Sequence, residues 1–501
     1  MISKHNSSDT ASFVFSNHPV SRYKLLFYLS VQFILACVFS ITASAQTITN
    51  SSPYSRYGIG DLSGKGFSQG FAMGGTNIAM QNDTTAMFFI NSGNPASYSN
   101  IRLTTAEIGA NFNRVNLESS DAKQAVNNAS LAYFALAFPF KKWWVGSIGL
   151  VPYSSVGFKV TDHQDIENIG GVDFLYQGSG GINQVYFGNG IKPLYGLARR
   201  FMKSSRYEKL KEEKNYAKAN RILKRKKSLE SLSLGVNTSY MFGSFNNSRR
   251  AIFPYGSNYF NLNSITSTRV SDVYFDYGAQ FSHTFDSVGH RELRDKVTLL
   301  LGATFSAQSN ISAKIDSTSY TYFNNSLGYE IPKDTIQNLE TAKGKIRFPM
   351  SFGFGLGIKK GDRWLVSADF AVQNWSNYAV FDQTQGLKNS MRVSLGGQYV
   401  PNSKANGKGT YYKRIHYRIG GRYAETMIEL QNTQLTEYAF SVGAGFPLGR
   451  NFLMQNFSMV NIGFEAGQRG TITNGLIKEQ FFKATLGFTI NDRWFVKPKF
   501  D

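Results

Sequence analysis

The sequence predicts an all-β chain, a transmembrane antiparallel β-barrel of about fourteen strands, and three observations carry this. From about residue 100 to the C-terminus, short stretches alternate apolar and polar residues strictly. Aromatic residues make up 15% of the chain and there are 47 Gly, while charged residues reach only 17%. The one apolar run that approaches the length of a membrane helix lies within the first 45 residues.

The alternation is clearest near the end, where Phe482, Ala484, Leu486, Phe488 and Ile490 are interleaved with Lys483, Thr485, Gly487 and Thr489. Strand side chains point to opposite faces with period two, so one face of such a segment is oily and the other polar. A soluble sandwich alternates too, but seldom needs so many long strands in one chain. The 501 residues would suit several domains by length alone. The unbroken rhythm favours one large barrel instead. A mean hydropathy of −0.26 excludes a bundle of membrane helices.

Residues 1–45 read as a signal peptide. Arg22 and Lys24 precede an apolar run from Leu25 to Ile41, and Ala43-Ser44-Ala45 supplies a small-residue cleavage site before Gln46. An uncleaved anchor helix is the alternative. Cys37, the only cysteine, sits inside this run and resembles a lipoprotein box loosely, but Val38, Phe39 and Ile41 continue the apolar stretch. A mature chain without cysteine has no disulfide, thiol nucleophile or thiolate metal site.

Residues 46–102 do not alternate and hold Gly58, Gly60, Gly64, Gly66, Gly70, Gly74, Gly75 and Gly93 among small and polar residues. They predict a compact irregular segment. Strand-like segments follow within 103–490, near 103–115, 128–140, 143–160, 181–193, 230–247, 267–285, 295–314, 344–358, 363–381, 390–401, 413–430, 434–447, 455–468 and 479–490. Arg392, Arg418 and Arg422 occupy the polar faces of their segments. An arginine on the lipid face would cost about 2–4 kcal/mol at mid-membrane, so all three are expected in the lumen.

Short connections at Lys141-Lys142, Gly361-Asp362 and Gly449-Arg450 mark the expected periplasmic end, and long ones such as 315–343 the outer end. Trp143, Trp144, Trp364 and Trp494 all fall beside expected periplasmic strand ends, where an aromatic girdle belongs. The stretch 196–229 replaces one short turn. Arg199 to Lys227 carries thirteen Lys or Arg against three Glu, a net of +10. It predicts one or two exposed basic helices, either a merely solvated insert or a docking arm for an acidic partner or anionic head groups. A periplasmic address argues against nucleic acid. Residues 491–501 form a short tail.

The run Phe71-Ala72-Met73-Gly74-Gly75-Thr76-Asn77-Ile78-Ala79, then Asn82-Asp83-Thr84-Thr85-Ala86-Met87-Phe88 and Asn94-Pro95-Ala96, resembles the FadL-type (OmpP1/FadL/TodX) outer-membrane family. Asp83 and Ala86 match that family's acidic stretch, although the second acid is Thr84 here. Tyr176-Gln177-Gly178-Ser179-Gly180-Gly181 and the segment from Leu232 to Gly243 also look like family patterns. The resemblance implies a fourteen-stranded barrel whose lumen is closed by residues 46–102 as a plug, with Gly74, Gly75, Asp83, Asn94, Pro95 and Ala96 as its motif. It further implies import of hydrophobic compounds such as long-chain fatty acids, by plug movement and release through a side gap at a kinked third strand. Pro152 and Gly157 are the kink candidates, since proline cannot donate a ladder hydrogen bond. An extramembrane strand end would also accommodate Pro152. Arg392, Arg418 and Arg422 would either pair a carboxylate head group or fill the lumen beside acids such as Glu425.

A rival reading keeps the barrel but drops transport, making it a subunit or shuttle of an outer-membrane secretion or assembly complex, with 199–227 as a partner surface. An open polar porin is a third. Enzymatic function and a cofactor or metal are not expected, because the six His are scattered and neither a nucleophile elbow nor a phosphate loop is present.

Overall fold

Residues 52–82, 88–120, 122–203, 222, 228–254, 256–285, 296–325, 327–405, 409–448 and 457–492 are described by the computed structural model. The expected signal segment 1–45 with Cys37, Asp83, most of 199–227, Gly449-Arg450, Trp494 and most of the tail 491–501 lie outside them.

The alternating stretches form a closed antiparallel barrel of fourteen strands. They are β1 (Thr104–Glu118), β2 (Lys123–Lys141), β3 (Trp144–Ile166), β4 (Gly170–Ile191), β5 (Ser233–Ile252), β6 (Asn261–Phe285), β7 (Val297–Ser306 and Ser309–Asn324), β8 (Glu330–Phe348 and Ser351–Lys360), β9 (Trp364–Gln373), β10 (Ser390–Tyr399), β11 (His416–Leu430), β12 (Thr433–Leu448), β13 (Phe457–Arg469) and β14 (Lys478–Asp492). Closure comes from β14 on β1, in register from Lys478↔Glu118 to Asp492↔Thr104. β7 and β8 break side by side, β7 at Ala307-Gln308 and β8 at Pro349-Met350, where proline has no N–H for the ladder.

Period two sorts the two faces. In β8, Phe352, Phe354, Leu356 and Ile358 are exposed on the outside, while Gly353, Gly355 and Gly357 face in. Tyr417, Ile419 and Tyr423 of β11 are exposed likewise, with Arg418 and Arg422 turned inward. At the end where β2 turns into β3 and β8 into β9, Trp143 lies against Trp144 (6.2 Å between ring centres) and Trp364 against Tyr399 (4.2 Å). These aromatics share one rim.

Several strands run further than their alternation suggested. The expected long loop at 315–343 is strand, since β7 and β8 pair from Asn324↔Glu330 down to Ser309↔Phe348. Likewise β3 and β4 meet in a tight hairpin at Ile166↔Gly170, turned by Asn168 (φ 66°) and Gly170 (φ 96°). Over Glu330–Thr341 both faces are exposed, so apolar residues keep no fixed phase although the ladder continues. Conversely, the expected strand 363–381 stops at Gln373. The chain there turns inward through Trp375–Asn377, and Trp375 is 1% exposed beside Tyr378. Both rings join an apolar core with Tyr54, Val156, Met241 and Phe348.

Residues 52–82 and 88–101 are irregular, with 3-10 turns at Pro53–Arg56 and Pro95–Asn100 and a single helical turn at Ser68–Phe71. They lie against the inward face of the wall, where glycines make room. A Cβ at Gly396, Gly420, Gly302 or Gly235 would collide with backbone atoms of Met73, Ile78 or Pro95. Beyond β4 the chain is helical over Tyr195–Lys203.

Replacing Gly420 by valine is therefore expected to overpack this contact at a cost of about 1–3 kcal/mol. Trypsin cleavage after Arg56 or Lys65 should quicken while the barrel keeps its folded mobility in unheated gels. Gly397→Ala, whose nearest neighbour would be the Leu365 carbonyl at 3.7 Å, should leave both unchanged.

Candidate functional site

Among the described residues, the ladder between β2 and β3 is cut short. β2 and β3 pair only from Lys141↔Trp144 to Phe134↔Leu150. Beyond that point Lys123–Tyr133 of β2 pair with β1 alone, and Val151–Ile166 of β3 pair with β4. Pro152 sits where the pairing ends. The β3–β4 register passes from Pro152↔Asn183 to Ser154↔Ile182, leaving Tyr153 as an extra, bulged residue. The crease continues across β4 at Gly180 (φ 111°), a conformation that favours glycine.

Residues 52–63 cover the exposed edge of β3. The two-residue strand Asp61–Leu62 pairs antiparallel with Ser155 and Ser154. Ser63 N–H donates to the Tyr153 carbonyl at 2.9 Å. Gly157 N–H donates to Ser55 Oγ at 3.0 Å, and that hydroxyl lies 3.2 Å from the Gly157 carbonyl. The second kink candidate is thus held on both of its backbone groups by one serine.

Ion pairs tie the same stretch to the far wall. The Arg469 guanidinium of β13 donates to both Asp61 oxygens (2.7 and 3.1 Å), to Ser52 Oγ (2.6 Å) and to Glu479 of β14 (2.8 Å). Ser52 in turn donates to Glu479 at 2.5 Å. A planar fork suits this arrangement, because it can serve two carboxylates at once.

A second anchor holds the Gly-rich run. Asp369 Oδ2 of β9 accepts the N–H groups of Asn77 (2.6 Å) and Ile78 (2.9 Å). Gln280 of β6 donates to the carbonyls of Ile78 and Met80 at 2.9 and 3.1 Å. Gly74, at φ 70°, donates its N–H to Ser441 Oγ at 2.8 Å, and a Cβ there would meet the Gly421 backbone. Gly75 also has positive φ (83°), and a Cβ there would meet no neighbour within 4 Å.

Asn94 caps the turn Pro95–Asn100. Its Oδ1 accepts from Ala96 N–H at 3.1 Å and its Nδ2 donates to the Ile78 carbonyl at 2.8 Å. Pro95 occupies the first position of the turn, where a missing N–H costs nothing, and Ala96 is fully buried. Tyr98 and Ser99 then bond Asn237 and Ser233 of β5 at 3.1 and 2.7 Å. These residues join two parts of the segment to each other and to the wall.

The three lumen arginines differ. Arg422 is paired with Glu437 (2.8 Å) and with Glu465, so its partners are not Glu425. Arg418 donates to Gln398 at 2.8 Å and Asn461 at 2.7 Å. Arg392 stands between Ala371 and Ala424 in the register and is half-buried. The anchors Ser52, Ser55, Asp61, Gln280, Asp369, Arg469 and Glu479 escaped the sequence reading. The one signal for the wall residues was a polar side chain on the inner phase of a strand, which many lumen positions share.

A family model described as BamG matches residues 29–200 and 225–501. Among solved structures, a FadL homologue of Pseudomonas aeruginosa aligns at 12% identity over 87% of this chain and 99% of its own, with a TM-score of 0.52. A TodX deltaS2S3 mutant, a monoaromatic hydrocarbon channel, aligns at 12% identity over 86% and 99%, with a TM-score of 0.50. The toluene transporter TodX of Pseudomonas putida aligns at 13% identity over 87% and 100%, with a TM-score of 0.46. At such identities the likeness is one of fold. No curated protein matches the chain.

Arg469→Met would leave Asp61 and Glu479 facing each other without their cation, at a cost of roughly 3–5 kcal/mol. Asp369→Asn would weaken two charge-assisted bonds, roughly 1.5–3 kcal/mol in all. Hydrogen exchange should separate the two variants. The first is expected to release the amides of 52–63, the second those of Asn77 and Ile78.

Proposed function

We propose that this chain, which belongs to the BamG family, is an outer-membrane barrel stoppered by residues 46–102 as a fixed plug, serving as a docking subunit of an envelope secretion or assembly complex. The observation that supports a fixed plug is the glycine contact between wall and segment. Met73, Ile78 and Pro95 lie so close to Gly420, Gly396, Gly302 and Gly235 that no side chain fits between. Moving the segment would separate this surface, part Asp61 from Arg469 and strip the buried Asp369 carboxylate of its two N–H donors. The exposed apolar rows outside the barrel support placement in a bilayer.

Transport of hydrophobic compounds, long-chain fatty acids among them, is the second reading. The seam above Leu150 favours it, because among the described residues 52–63 cover that stretch of β3 edge in place of β2. Arg392, Arg418 or Arg422 would then meet a carboxylate head group, and of the three Arg422 already holds two carboxylates, Glu437 and Glu465.

A cross-link distinguishes the two. Leu62 and Ser154 are register partners, so the pair Leu62→Cys and Ser154→Cys should form a disulfide that locks the segment to β3. Under the docking reading, oxidation leaves function unchanged, and envelope proteins copurify with the chain from solubilised outer membranes. Uptake of an oily substrate that stops on oxidation and returns with reductant would instead establish transport.

A further inference from the structure

Beyond the apolar rows, β3 to β8 continue as an open sheet, and among the described residues two of its edges lack a strand neighbour. One is β8 over Glu330–Gly344, beyond its contacts with the short strand Ala379–Val380 at Ile346 and Arg347 and with Phe381 at Lys345. The other is β3 over Phe158–Ile166. Proteins normally blunt such edges with bulges, proline and lysine. The β8 edge is blunted in this way. Its register on β7 shifts three times between Pro332 and Ala342, and it carries Pro332 and Lys333. The β3 edge is not. From Ser154↔Ile182 to Ile166↔Gly170 its pairing with β4 runs without one shift, and proline is absent after Pro152.

The direction of its backbone groups is known from below. The Tyr153 carbonyl accepts from Ser63, and both backbone groups of Gly157 meet Ser55. With period two, Lys159, Thr161, His163 and Asp165 turn their N–H and C=O groups to the same open side. This edge already takes a strand, since Asp61–Leu62 adds to it antiparallel at Ser155 and Ser154. The free part lies directly above that graft. Charge narrows the occupant. Asp162, Asp165, Glu167 and Asp173 stand on this hairpin against Lys159 and His163, and the His163 ring is engaged by Asp173 at 2.7 Å.

We infer that the edge of β3 from Phe158 to Ile166 is a docking site for a basic, extended segment of a partner protein, which adds to the sheet as an antiparallel strand. It rests on the docking-subunit reading and names the surface and the chemistry of the partner. Main-chain bonds supply affinity, and the acidic hairpin selects lysine- or arginine-bearing strands over acidic ones.

The test uses the full chain purified in detergent and two twelve-residue peptides, one alternating valine with lysine and one alternating valine with glutamate. The lysine peptide is expected to bind about tenfold or more tighter than the glutamate peptide, and to slow hydrogen exchange at Lys159, Thr161, His163 and Asp165. Thr161→Pro removes one open-side donor and spares the β4 ladder, so it should weaken binding about tenfold. The double variant Asp162→Lys, Asp165→Lys keeps every backbone group and should reverse the peptide preference. Equal affinity for both peptides, an unchanged preference in the double variant, or protection at Glu330–Gly344 in place of β3 would overturn the inference. Absence of peptide binding while envelope proteins still copurify rejects this edge alone. Peptide binding without copurification rejects the docking-subunit reading.

Discussion

Backbone groups facing hydrocarbon have to be bonded within the chain, and the rest of this structure follows from that requirement. Fourteen strands meet it by closing β14 on β1. The outward rows then need only be apolar, and the inward rows are free to carry glycine, serine, arginine and carboxylates. Where the ladder fails, another part of the molecule takes over its hydrogen bonds. Pro152 interrupts β3, and Ser63, the pair Asp61–Leu62 and Ser55 occupy the groups that β2 no longer reaches.

The inner segment and the wall fit by subtraction. Glycines at wall positions give the segment's backbone a surface to approach, so its polar groups find partners in Asp369, Gln280, Ser441 and Asn237. Burying irregular backbone is costly unless each N–H and C=O is answered. The wall answers with side chains, while the segment's own Asn94 joins Ile78 to the turn that follows it. Arg469 adds the longest tie, spanning β13, β14 and the strand graft on β3 through three acceptors. Stability of the segment and continuity of the wall are in this way one property.

The extended sheet above the barrel obeys a different rule. Water can bond its free edges, so pairing there is no longer compulsory and edge design becomes a matter of what should or should not attach. The bulged β8 edge and the regular β3 edge show the two outcomes in one sheet.

The amino-acid pattern alone determined the barrel, its strand count, the apolar exterior and the lumen side of Arg418 and Arg422. All of these rest on a period-two alternation that a bilayer enforces residue by residue. Proline's missing donor also made Pro152, beside Gly157, a candidate for a break in the third strand. Extensions such as 315–343 were illegible as strand, since a ladder with water on both faces carries no apolar phase. Only the tertiary structure decided which groups meet. Asp61 and Arg469 are 408 residues apart, Asn77 and Asp369 are 292 apart, and no local spacing relates such pairs. Their contact exists because closure of the barrel brings distant strands around one segment, and ring closure is a property of the whole chain.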